Sequence, residues 1–169
     1  DLMGSLRGVL WQGYYFRNFL SEGAGTMDTL ARLLIRGPRL EVSVSDAKRS
    51  PFLFNAVRPF REKGYKLVFI TSGSAAWRNI GEFLTFLGFD EIDDEHNIEN
   101  AYPEAKAGAW GIPDGFMFRF AKDRLARARK SGEKVFILML STTNHGPYLV
   151  PADYHGADFE VPEAAKRRF

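Results

Sequence analysis

The sequence predicts an α/β fold, a mostly parallel sheet flanked by helices. Two apolar runs, over 66–71 and 134–140, are short, rich in branched and aromatic residues, and without alternation. Such runs fit strands buried on both faces, the habit of parallel sheets. Segments with helical spacing separate and precede them, and strands alternating with helices argue for parallel crossovers. A length of 169 residues suits one domain, and hydrophobic residues at 45 % with fifteen phenylalanines supply its core.

The elements follow in order. Tyr14, Phe16 and Leu20 share one face at period two, which predicts a strand over 13–20. Ser21-Glu22-Gly23-Ala24-Gly25-Thr26 is a flexible turn ending at a possible N-cap. Leu30, Leu33 and Leu34 then recur at helical spacing, with Asp28 in the first turn and Gly37-Pro38 as the stop. Residues 38–50 read as loop. Ser50-Pro51 fits the start of a helix whose face is Phe54, Val57 and Phe60, with a kink at Pro59 and an end at Gly64. After the strand of 66–71 comes the turn Ser72-Gly73-Ser74. A helix is expected over 75–87, with Trp77, Ile80, Leu84 and Leu87 inward and Gly88 just past its end. Residues 89–109 are polar and acidic and read as an irregular excursion. Trp110-Gly111-Ile112-Pro113-Asp114 opens a long helix to about Lys130, with Phe116, Phe120 and Ala121 inward and Ser131-Gly132 closing it. The basic cluster from Lys122 to Lys130, including Arg124, Arg127 and Arg129, reads as a solvated helix face. The second strand follows, and the tail from 151 is irregular.

Charge and composition narrow the function. A net charge of +2 gives no footing for nucleic acid. The absence of cysteine excludes disulfides, thiolate metal sites and a cysteine nucleophile. No stretch approaches about 18 consecutive apolar residues, and no signal peptide is visible. The chain begins at Asp1, so a piece of a longer protein is expected.

Three loops should gather at the C-terminal ends of the strands: 21–26, 71–79 and 141–148. Open α/β sheets place ligands there. In the third, His145 beside Asn144, Thr142 and Thr143 can donate hydrogen bonds to an anion; alternatively Asn144 and Pro147 build only a turn. In the first, two glycines precede Thr26, and the helix behind it offers unpaired N–H groups and a positive dipole end. A threonine there can bind a metal ion and attack phosphorus. The simpler role is an N-cap, worth ~1 kcal/mol. Glu22 is either a ligand or an exposed turn carboxylate. In the second loop, Arg78 and Asn79 can reach a phosphate with Trp77 as a wall; otherwise Trp77 is core and Arg78 is solvated. His96 and His155 stand alone in polar surroundings and read as surface.

Taken together, Phe16-Arg17-Asn18-Phe19, Glu22-Gly23-Ala24-Gly25-Thr26, Glu62-Lys63-Gly64-Tyr65 with Phe69-Ile70, Gly88-Phe89-Asp90-Glu91-Ile92, Trp110 to Asp114 and Ser141 to Tyr148 occur in an order that resembles the sulfatase-like domain of lipoteichoic acid synthase and its relatives. These are membrane-bound phosphoglycerol transferases of the alkaline phosphatase superfamily, and the resemblance covers nearly the whole chain. It implies a threonine nucleophile that is also a ligand of a divalent metal (Mn, Mg, Zn or Ca), attack on a phosphodiester head group, and a phosphothreonine resolved by water or an acceptor hydroxyl. Thr26 matches that residue. His145, with Asn144, matches the substrate-contacting histidine, and Trp77, Arg78 and Asn79 fall near a tryptophan–asparagine–arginine segment of the family's pocket. Ser72 and Ser74 stand where lipoteichoic acid synthases carry histidine and aspartate, so Ser72 is expected at the substrate with altered specificity.

The family also has a metal-binding glutamate ahead of the first loop and an aspartate–histidine pair well after the last, and neither is in this chain. A lone threonine cannot hold a catalytic cation. The expectation is therefore the N-terminal part of a larger catalytic domain, 1–169, inactive and metal-poor by itself, with a sheet edge that favours self-association. The implied substrate is a phospholipid head group or envelope glycan, and the implied parent is membrane-anchored with its catalytic domain outside the cytoplasm. A phosphate- or sulfate-ester hydrolase and a non-catalytic envelope binding domain remain as alternatives. A formylglycine-type sulfatase is disfavoured, since no Cys or Ser stands in a C/S-x-P-x-R context.

Overall fold

A computed structural model describes residues 4–21, 23–37 and 41–146. Its centre is a parallel sheet of β1 (Lys66–Thr71), β2 (Glu91–Asp93) and β3 (Val135–Leu140) in the order β2-β1-β3. β1 is the middle strand, and Leu67, Val68, Phe69 and Ile70 are fully buried. That explains its unbroken apolar run. Leu67 and Phe69 face one core, with Leu30 and Leu34 of α1 (Thr26–Ile35) and Phe83 and Leu84 of α3 (Ile80–Leu87). Val68 and Ile70 face the other, with Ile98 of α4 (Glu95–Ala101) and Met117, Phe120 and Ala121 of α5 (Asp114–Ser131). The result is three layers, helix–sheet–helix. β3 pairs with β1 from Lys66↔Val135 to Thr71↔Leu140 and forms an edge among the described strands.

The helix ends behave as their residues require. Gly88 (φ 100°) and Gly132 (φ 71°) take the left-handed position that closes α3 and α5. A short helix α2 (Arg58–Glu62) precedes β1, and three-residue to nine-residue 3₁₀ segments cover Gly4–Gln12, Val42–Val44, Asp46–Arg49 and Trp77–Asn79.

Five expectations are corrected. Residues 13–20 form no strand, since no backbone among the described residues pairs with them as a ladder, and Tyr14 is 96 % exposed. Pro59 does not kink a helix begun at Ser50; it sits in the first turn of α2, where its missing N–H costs nothing. The helix expected over 75–87 is broken by two left-handed residues, Arg78 (φ 45°) and Asn79 (φ 61°), so α3 starts at Ile80 and Trp77 turns outward, 44 % exposed. Residues 89–109 are not irregular throughout, for they hold β2 and α4. The start of α4 is a capping box, in which the Asp94 side chain accepts from the His96 N–H while Asn97 returns a bond to the Asp94 N–H. Arg124 is not on a solvated face. It is buried, and its guanidinium donates to Glu91 (2.8 and 3.3 Å) and Glu133 (2.7 Å).

That cluster closes the N-terminal end of the sheet, with Lys66 joining Glu91 at 2.6 Å. Burial alone works to raise the Glu91 carboxyl, but the hydrogen bonds from Arg124 and Lys66 outweigh it and hold the group below the ordinary carboxylate range. On α4 and α5, Tyr102 donates to Asp123, and burial with that bond pushes the phenol up to about 12.

Candidate active site

The opposite, C-terminal end of the sheet is open. A cleft of about 470 Å³ lies there, with Thr26, Ser74, Trp77, Trp110 and His145 in its walls. The segments that build it come from five places along the chain and are tied to one another by hydrogen bonds.

Thr26 is the first residue of α1. The capping position before it belongs to Gly25, extended at φ −146°, and no side chain caps the first turn. The simpler role considered for Thr26, an N-cap, is therefore corrected: a glycine fills that place, and Thr26 lines the cleft at a first helical turn that no side chain caps. The preceding loop is pinned back by Ser21, whose hydroxyl donates to the Gly23 carbonyl (2.8 Å) and lies 3.1 Å from Thr29 Oγ1. Glu22 lies outside the described residues.

The loop after β1 and the loop after β3 share one organiser, Asp114. Its carboxylate accepts from Ser72 Oγ (2.6 Å), from the Thr142 N–H (2.9 Å) and from the Thr143 N–H (3.1 Å), while its own N–H donates to Thr143 Oγ1 (2.9 Å). Ser72 is thus fully buried behind the cleft, bonded also to Thr142 Oγ1 at 2.9 Å. It is not in the cleft wall, where the serines are Ser74 and Ser141. Gly111 makes the fit possible. At φ 122° a Cβ would come within 2.1 Å of the Ser72 carbonyl oxygen, so the 108–111 turn can close on this loop only with glycine.

His145 is held on two sides. Its ring stacks on Trp110 (centroids 4.8 Å apart, 27° between planes), and Trp110 donates to the Gly146 carbonyl at 2.6 Å. His145 Nδ1 is 2.8 Å from the Thr142 carbonyl, which can only accept, so Nδ1 carries the proton and Nε2 is left to meet a ligand. Asn144 adjoins it but is absent from the cleft wall. Arg78 and Asn79 are also outside that wall, and the Arg78 guanidinium turns to Glu41 at 3.2 Å. His96, expected as surface, is exposed, yet it lines the cleft with Glu95 and Glu99. Pro147, Tyr148 and His155 lie outside the described residues.

α4 enters the cleft because its start is docked on the second loop. The Glu95 N–H donates to the Gly73 carbonyl at 3.2 Å, and Asp94 accepts from the Ala75 N–H at 3.2 Å. The capping pattern Asp94-x-x-Asn97 is the signal in the sequence that marks this helix. Just behind it, burial first and the Glu91 charge second push the Asp93 carboxyl up.

The donor set does not fit a divalent cation. Among the described residues no three His, Asp or Glu side chains converge as ligands, and Thr26 alone offers one hydroxyl. What the cleft does present is a helix start with free N–H groups, a threonine hydroxyl, and an oriented imidazole, a combination suited to an anionic oxygen cluster.

Comparison with known proteins finds relatives of this chain. The Sulfatase family profile matches residues 3–167. Phosphoglycerol transferase I of Xanthomonas axonopodis pv. citri (strain 306) is 24 % identical over 104 residues, covering 60 % of this chain and 15 % of that protein. The same-named protein of Xanthomonas euvesicatoria pv. vesicatoria (strain 85-10) is 25 % identical over 88 residues, 52 % of this chain and 12 % of its own. Among solved structures, a protein in the alkaline phosphatase superfamily from Vibrio parahaemolyticus superposes with a TM-score of 0.58 at 26 % identity, over 78 % of this chain and 32 % of that one. The lipoteichoic acid synthase LtaP from Listeria monocytogenes gives 0.55 at 22 % identity, over 66 % and 26 %. The chain therefore spans about 12–15 % of these curated relatives and 26–32 % of these structures.

Proposed function

Because this chain belongs to the Sulfatase family, with the sheet and helix layers of the alkaline phosphatase superfamily, we propose that it is part of a catalytic domain that transfers a phosphoglycerol or phosphoryl group from a lipid head group to an acceptor hydroxyl. The observation that carries this reading is the place of Thr26: first residue of a helix with no side-chain cap, in the wall of the same cleft as His145.

In this reading the Thr26 oxygen attacks phosphorus and gives up its proton to solvent. A P–O bond forms, the P–O bond to the departing lipid alkoxide breaks, and that alkoxide takes up a proton from solvent. An acceptor hydroxyl, or water, then loses its proton to solvent and attacks phosphorus, the P–O bond to Thr26 breaks, and the Thr26 oxygen is reprotonated. The N–H groups at the start of α1 stabilise the phosphoryl oxygens. His145, oriented by Trp110 and the Thr142 carbonyl, accepts a ligand hydroxyl at Nε2 in its neutral form or donates to a phosphate oxygen from Nε2–H as the imidazolium, and Trp77 walls the far part of the ligand. Ser72 supports these loops from behind. A divalent metal, which the family resemblance implies, would need ligands beyond the described residues, so no step is drawn through one. The proposed location is outside the cytoplasm on a membrane-anchored parent; no helix among the described residues is long and apolar enough to cross a membrane.

The test is turnover of bis(nitrophenyl) phosphate by the whole protein, with and without manganese, beside Thr26→Ala and Thr26→Ser. The expected result is metal-dependent turnover that drops at least about a thousandfold in Thr26→Ala and in part in Thr26→Ser. Full activity in Thr26→Ala would remove the nucleophile from this reading. A well-folded protein with no turnover under any divalent metal would favour a binding domain.

A further inference from the structure

Two features among the described residues are incomplete in complementary ways. The outer edge of β3 has no partner strand. Its six residues, Val135 to Leu140, carry no charge and no proline, the usual guards of an edge strand, and all are only partly buried. Residues 13–20 alternate as a strand does, yet belong to no ladder. Phe16, Phe19 and Leu20 are 72, 73 and 86 % exposed, a large apolar surface to leave in water.

The topology brings the two together. α1 and α3 pack on the same face of the sheet, that of Leu67 and Phe69. Parallel crossovers are right-handed, so connections over one face all step across the sheet in the same direction. The step from β1 over α3 reaches β2. A strand that leads through α1 into β1 must therefore come from the other side of β1, the side of β3, where the open place is the outer edge of β3. The ends also match. Thr26 and Leu140 line the same cleft, and Ser21 is bonded to Thr29 near the start of α1. The six residues from Leu20 to Thr26 span up to about 20 Å. Leu20 can thus lie beside Leu140, with the segment parallel to β3. A vacancy for its side chains is visible on α5. α4 packs on β2, and α5 on β1 and β3. Phe116 and Asp123 of α5 face Tyr102 of α4. At 3.6 residues per turn Phe118 and Leu125 fall on the opposite flank, beyond β3, and both are about half-exposed.

We propose that the free edge of β3 is the docking site of the chain's own segment 13–20, which adds to it as a fourth parallel strand, in the order β2-β1-β3-(13–20). Docking straightens the turn at Arg17–Asn18 and exchanges exposed backbone groups for a ladder. One side of the added strand covers Phe118 and Leu125. Its end enters the 21–26 loop at the cleft, so that loop is anchored on both sides, by the new strand and by α1. This goes beyond the transfer reading and stands without it.

The experiment is hydrogen exchange by mass spectrometry over segments 13–20, 66–71 and 135–140, in the unaltered protein and in Asn18→Pro and Phe16→Asp. The proline removes a ladder N–H in mid-strand, and the aspartate sets a charge between helix layers. Both positions are exposed and outside the two cores, so the rest of the fold is left intact. Amides of 14–20 and of β3 are expected to exchange at least about tenfold more slowly in the unaltered protein than in either variant, with β1 equally protected in all three. That slowing should be the same at every protein concentration. Rapid exchange of 14–20 in the unaltered protein would overturn the proposal. So would protection of β3 that neither variant moves, because another element then covers the edge. Protection that is lost on dilution, with a dimer in light scattering, would give the edge to a second copy and overturn it as well.

Discussion

Asp114→Asn is the sharpest structural test of the site. The wild-type carboxylate accepts three hydrogen bonds, from Ser72 Oγ, Thr142 N and Thr143 N, at 2.6, 2.9 and 3.1 Å. An amide has one acceptor oxygen. If that oxygen keeps Ser72 and Thr142, the amide NH₂ is set against the Thr143 N–H, and a part-buried donor loses its partner. Such an orphan costs about 1–3 kcal/mol. The negative charge at the first turn of α5 is lost as well, about 0.5 kcal/mol. The expected destabilisation is therefore about 2–3 kcal/mol, read as a lowered urea midpoint with unchanged slope. Because Thr142 and Thr143 lead straight into His145, the variant should also raise KM for bis(nitrophenyl) phosphate more than it lowers kcat. A loss below about 0.5 kcal/mol, the usual range for a surface change, together with an unchanged KM, would show that Asp114 does not hold the two loops.

Three further outcomes follow from the geometry. Arg124→Ala leaves Glu91 and Glu133 facing each other with Lys66 alone between them; since both carboxylates are about one-third exposed, the expected loss is about 2 kcal/mol rather than the 3–5 of a fully buried pair, measured by chemical denaturation. Gly111→Ala sets a methyl 2.1 Å from the Ser72 carbonyl oxygen at a left-handed φ; it should cost at least about 2 kcal/mol and abolish activity, and a near-neutral result would show that the 108–111 turn moves freely. The depressed Glu91 carboxyl contributes stability that is complete above its unfolded value, about 4.3, and is lost as pH falls through its lower folded value. Denaturation midpoints taken down to about pH 3 should fall less steeply in Glu91→Gln than in the parent, though from a lower start; parallel slopes would contradict the assignment.

The sheet and its helices were legible because their residues leave little choice. An unbroken apolar run such as that of β1 has no stable place except between two helix layers, and Gly88 and Gly132 marked helix ends by the one conformation that glycine takes freely. What was hidden depended on distant partners. The strand-like pattern of 13–20 finds no partner strand among the described residues. Arg124 looks solvated until Glu91 and Glu133, 33 and 9 residues away, are brought to it. β2 is three residues long, two of them acidic, and it reads as a strand only beside Val68–Ile70. In the site, Thr26 and His145 could be named from loop chemistry and family resemblance, and both line the cleft. The absence of Ser72 from its wall, the release of Arg78 to Glu41, and the entry of α4 through Asp94 are properties of the assembled loops, which no local pattern carries.

The pairing of β1 with β3 has a consequence in time. Thr71 bonds to Leu140 across 69 residues, and Ser72 meets Thr142 across 70. Loop closure over such a distance is entropically uphill until the last strand docks, which makes parallel pairing slow. During synthesis the ribosome adds that intervening stretch in roughly 4–14 seconds, at about 5–20 residues per second. For that interval β1, the most deeply buried of the described strands, waits without the strand that covers its open edge, and no cleft exists. The nascent protein is thus most vulnerable to aggregation while Phe69 and Ile70 are made and Val135 is not, and a chaperone that shields it would bind in that window.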